Sequence, residues 1–118
     1  MAMKRTLLSC LLLLGACAIA SAQSPAPAGD AANGHTLFMA DGCYQCHGTV
    51  GQGSRSTGPR LAPNPIPYEG FAQQLRKPAN IMPPYTALVL SDAQLADIYA
   101  YVSSLPGPAK AEDVKILH

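Results

Sequence analysis

The sequence predicts an all-α domain, and three observations carry that prediction. Three segments repeat apolar residues at helical spacing, no run alternates with period two, and Gly- and Pro-rich stretches separate the segments. The chain has 118 residues, room for one small domain.

Its first stretch has the composition of an export signal. Lys4 and Arg5 precede an apolar run from Leu7 to Ala20, interrupted by Ser9 and Gly15, and Ala20-Ser21-Ala22 is a small-x-small cleavage site ahead of Gln23. Residues 1–22 therefore form a secretory signal peptide. The run falls short of the roughly 18 apolar residues expected of a membrane span, which sets retention as an anchor behind removal. Leu14-Gly15-Ala16-Cys17 loosely resembles a bacterial lipobox, making lipidation at Cys17 the alternative processing route. Membrane contact is expected only through that lipid or a retained signal.

Cleavage after Ala22 leaves 96 residues with two cysteines, six Lys or Arg and seven acids, a net charge of −1. That balance argues against nucleic acid, which rewards a strongly basic surface. With two Phe and no Trp there is little bulky apolar material for a small core, and a buried cofactor would supply some.

Residues 23–29 are Ala/Pro/Ser-rich and read as a flexible leader. From Asp30 to about Ala40, Ala31, Leu37 and Phe38 among good helix formers, with Asp30 as cap, predict a first helix ending near Asp41-Gly42. Residues 48–67 carry Gly48, Gly51, Gly53, Gly58, Pro59, Pro63, Pro65 and Pro67, the composition of a long loop, and a loop of this length in a compact domain is either functional or wrapped around something, the second being expected here. Tyr68 to Lys77 forms a short helix with Phe71 and Leu75 on one face, ended by Pro78. The clearest helix opens at Ser91. Ser91 and Gln94 fit a capping box, Leu95, Ile98, Val102 and Leu105 make the apolar stripe, and Pro106-Gly107-Pro108 closes it. The folded domain is expected over 30–106, with 107–118 as a tail.

The chemistry lies in Cys43-Tyr44-Gln45-Cys46-His47, a C-x-x-C-H pattern, the attachment motif of haem c. Two thiols at this spacing add across the two vinyl groups of one porphyrin, and the next residue offers a proximal imidazole to iron. A redox-active dithiol would need a βαβ context that is missing here. A zinc site would need four ligands, and only His35 and His118 remain to join the motif, neither at recognisable spacing. Tyr44 and Gln45 read as spacers. Met82, 35 residues after His47, is the leading sixth ligand. Pro83 keeps it out of the α region, and the Pro83-Pro84 pair stiffens the segment, so a sulfur can be held toward iron at low entropic cost. Met39 is the other methionine past residue 22, and it lies too close to the motif in sequence to reach the opposite haem face.

Over roughly Asp30 to Leu105 these residues resemble the class I monohaem cytochromes c of bacteria. Gly34 and Phe38 on the first helix, with Ile98 and Tyr101 on the last, match the family's helix-crossing pattern. The resemblance implies a small cytochrome c fold, three to four short helices wrapped around one covalent haem. It further implies that Pro59, in Gly58-Pro59, accepts a hydrogen bond from the proximal His47, and that Arg76 meets a haem propionate; the plainer reading of Arg76 is an exposed helix-end cation. The implied function is a periplasmic one-electron carrier of positive reduction potential, with haem c bound through Cys43 and Cys46 and iron ligated by His47 and Met82. Its redox partners would be a dehydrogenase donor and an oxidase or cytochrome acceptor, with the chain either free or a dedicated dehydrogenase subunit. The alternative, should Met82 not ligate, is a five-coordinate haem enzyme or gas sensor. The tyrosines Tyr68, Tyr85 and Tyr99 are expected in pocket or surface packing, and His35 and His118 in solvent.

Overall fold

The computed structural model describes residues 24–117; the expected signal peptide, the Cys17 alternative and His118 lie outside the described residues. Four α-helices follow in order: α1 (Ala31–Ala40), α2 (Cys43–His47), α3 (Tyr68–Arg76) and α4 (Asp92–Ser104), with two 3-10 turns at Ala111–Asp113 and Lys115–Leu117. No strand occurs among the described residues, and the fold is all-α, as the sequence predicts. None of the described helices is long and apolar enough to cross a membrane.

Helix α1 starts where the Asp30 carboxylate accepts from the Ala32 and Asn33 N–H groups at 2.8 and 3.2 Å, satisfying two donors that a helix start leaves free. It packs across α4, the most extensive helix pairing of the fold. Gly34 decides how closely. A Cβ there would lie 1.9 Å from the Asp97 carbonyl oxygen, so only glycine lets the two backbones approach this far. The Asp97 carboxylate secures the crossing, accepting from the Asp30 N–H and the Asn33 amide, both at 2.7 Å. Those bonds hold its carboxyl below the usual range, the Asp30 N–H contributing most.

Phe38 meets Tyr101 edge-on at a centroid separation of 5.4 Å, and Phe38, Leu90, Leu95, Ile98 and Val102 form the fully buried centre. Helix α3 buries Phe71 and Leu75, as its i, i+4 pattern predicts. Tyr68 and Phe71 of α3 meet Tyr99 of α4 edge-on, each at 5.2 Å. The capping box of α4 is complete: the Gln94 N–H donates to Ser91 Oγ, and the Ser91 N–H to Gln94 Oε1. Leu105, expected as the last residue of the stripe, packs half-buried against the core as the C-cap, its backbone extended by the proline that follows.

Candidate haem site

Two residues past α1, Gly42 takes a left-handed conformation (φ +76°) and turns the chain into α2. Five helical residues place Cys43, Cys46 and His47 at i, i+3 and i+4, which in a helix is one face. All three line a cleft of about 1020 Å³, at the upper end of the roughly 300–1,000 Å³ of small-ligand sites. Phe38, Leu61, Phe71, Leu75 and Ile98 supply apolar wall, and Met82 lines the same cleft. The short helix itself was not anticipated, because five residues are too few to show a period.

His47 is 8% exposed, the one buried polar side chain of the described core. Its Nδ1 lies 2.8 Å from the Pro59 carbonyl oxygen. A carbonyl can only accept, so Nδ1 carries the proton and Nε2 keeps a lone pair, the form in which an imidazole binds metal. The approach is tight. A Cβ on Gly58 would lie 3.0 Å from the Cys46 carbonyl oxygen and 3.1 Å from His47 Nδ1, so the Gly-Pro order positions the acceptor. Thr57 Oγ1 donates to the Cys46 carbonyl at 2.8 Å, and the Gly53 N–H to the His47 carbonyl at 2.7 Å. These bonds fold the 48–62 loop back against the motif. Thr57 has no sequence signal, since a threonine in a polar loop looks the same whether or not it bonds.

The Cys43 thiol is half-buried, and burial, followed by the Asp41 charge, pushes its pKa up to about 11; Cys46 is exposed. Tyr85 OH donates to the Asp41 carbonyl at 3.0 Å, tying the Met82 segment to the entry of α2. The tyrosine's pKa is raised, first by burial and then by the Cys43 and Asp41 charges. Met82 is half-buried, and Gln74 Nε2 donates to its sulfur at 3.7 Å. Met39 packs on the core from α1 and does not line the cleft.

The donor set fits a haem c: two thiols, an imidazole with its free nitrogen selected, and a thioether, around an apolar space. Among the described residues no three of His, Cys, Asp and Glu gather into a group able to hold a bare metal ion. The family model described as cytochrome c oxidase, cbb3-type, subunit III matches residues 29–102. The chain belongs to this cytochrome family. Neither the curated proteins nor the solved structures provide a match.

Within this cytochrome the match runs from the residue before the Asp30 cap to the last turn of α4, so it contains the whole cleft lining. Haem c is the cofactor that membership implies, with electron transfer as its work and redox proteins as partners. The residues that would hold it are Cys43, Cys46 and His47 on one side and Met82 on another.

Arg76 requires a correction. It neither lines the cleft nor stands free at a helix end. Its Nη1 donates to the carbonyls of Tyr85 at 2.8 Å and Leu90 at 2.7 Å, and Nη2 pairs with Asp92. The guanidinium thus clamps the segment after Met82 to α3 and to the start of α4. Three acceptors engage the Nη1 and Nη2 groups of its fork, so its role in this structure is to brace the connection. The cations that do line the cleft are Arg55 and Arg60, on the loop the sequence marked only as long.

Proposed function

We propose that this cytochrome is an exported one-electron carrier whose haem c is attached through Cys43 and Cys46 and ligated by His47 and Met82. The observation that carries the proposal is the gathering of those four side chains in one apolar cleft. When bound, the haem supplies a one-electron iron couple. The chain's own residues set the conditions for it. Pro59 keeps the proton on Nδ1 of His47 and so keeps Nε2 available as a ligand. The apolar wall excludes water and disfavours the additional charge of the oxidised form, and a thioether ligand favours the reduced one, so the potential is positive.

With His47 and Met82 both holding the iron, no position would remain for oxygen or peroxide, and the chemistry left to the bound group would be electron exchange with partner proteins. Donor and acceptor are a dehydrogenase and an oxidase or further cytochrome, and an oxidase-side acceptor accords with the family description. The chain works as a free carrier or as a dedicated subunit of the dehydrogenase, in the periplasm after cleavage at Ala22. The mass of the exported protein reads the last point: a chain starting at Gln23 is expected, and a lipid on Cys17 would contradict it.

Optical spectra of the matured protein, native and Met82→Ala, test the ligation. The ferric native protein is expected to show the weak near-infrared sulfur-to-iron band, and Met82→Ala to lose it while the ferrous iron becomes open to carbon monoxide. Rapid carbon monoxide binding by the native protein overturns the carrier reading in favour of a five-coordinate enzyme or sensor.

A further inference from the structure

Two adjacent glutamines on α3 have different surroundings. Gln73 is exposed; Gln74 is half-buried and lines the cleft three residues after the buried Phe71. The Gln74 amide donates to Met82 Sδ at 3.7 Å and has no other hydrogen-bond partner among the described residues. The amide orientation follows from the chemistry of the pair, since sulfur can only accept and therefore faces the NH₂ group rather than the carbonyl oxygen.

We propose that Gln74 is a positioning residue for the Met82 sulfur and raises the reduction potential of the bound haem by donating to it. The proposal rests on Met82 ligation as proposed above. A thioether sulfur has two lone pairs. A donor occupying one leaves the other for the iron, limits the orientations the sulfur can adopt, and draws electron density from it. A poorer electron donor on iron stabilises the ferric state less, so the couple moves toward reduction. Arg76 and Tyr85 hold the backbone of the segment, whereas Gln74 reaches the sulfur itself.

The test uses the matured holoprotein as native, Gln74→Leu, Gln74→Glu and Gln73→Leu, with equilibrium redox titration and the ferric near-infrared spectrum. Gln74→Leu removes the donor and is expected to lower the potential and move the sulfur-to-iron band. Gln74→Glu keeps the shape but places an acceptor and a negative charge there, and is expected to lower the potential further at neutral pH. Gln73→Leu, one residue away on the exposed face, is expected to match the native protein in both readouts. Potentials and bands unchanged in both Gln74 variants, with the band present in the native protein, overturn the proposal while leaving His/Met ligation standing. A native protein without the band overturns the ligation reading, and this proposal with it.

Discussion

On the His47 wall of the cleft the chain brings two thiols and an imidazole together within five residues, and backbone turns and a returning loop brace them from nearby in sequence. On the Met82 wall a single side chain sits in the connection between α3 and α4, and long side chains hold that connection: Gln74 and Arg76 from α3, and Tyr85 of the connection itself, which reaches across to Asp41. Ile81 beside it is 87% exposed, and Leu88 and Val89 further along face solvent as well. Segments with few buried contacts open at lower free energy than the core they border. The Met82 wall is therefore the one expected to yield first, and the imidazole side the one that persists.

Removing the clamp gives the largest expected effect. Arg76→Met leaves the Tyr85 and Leu90 carbonyls without their shared donor, and unpaired part-buried acceptors make this a loss of about 2–3 kcal/mol in denaturant unfolding. The near-infrared band of that variant is expected to vanish at a lower denaturant concentration than the Soret band shifts. Loss of the two signals together, as one transition, would remove the difference between the walls.

On the opposite wall, Thr57→Val deletes one bond to the Cys46 carbonyl among several that brace the loop, a loss of about 1 kcal/mol by the same measurement. Its near-infrared band should disappear at the same midpoint as global unfolding. Early loss of the band in this variant would show that the two walls are coupled.

The smallest effect concerns the α1–α4 frame that carries both walls. Asp97 has a folded pKa below its ordinary value, so its contribution is present above the unfolded pKa of about 4 and is lost as pH falls through the lower folded value. Asp97→Asn is expected to unfold at a slightly lower temperature than the native protein at pH 7. The gap should close as the pH drops below about 4, and a gap of constant size across that range would assign it to packing instead of charge.

Much of this architecture is legible locally. The Asp30 cap, the Ser91–Gln94 box and the Phe71–Leu75 pair are short-range patterns whose partners lie within one helical turn, and each is found where its residues stand. C-x-x-C-H is likewise complete in five residues. Pro59 and Gly34 were legible through resemblance to a family, and their reasons became physical only in three dimensions: a carbonyl 2.8 Å from a ring nitrogen and a helix crossing with no space for a methyl.

Arg76, Gln74 and Thr57 mark the boundary of what the sequence by itself determined. It determined the three longer helices, the caps of the first and the last, the attachment motif and the leading candidate for a second iron ligand, because these depend on neighbours a few residues away. Only the tertiary structure decided which way the guanidinium of Arg76 turns, which of two consecutive glutamines faces the sulfur, and which loop cations reach the cleft. Those outcomes follow from where α3 lies against the 77–91 connection and how the 48–62 loop returns on α2, and side-chain hydrogen bonds between distant segments leave no period or spacing in the chain.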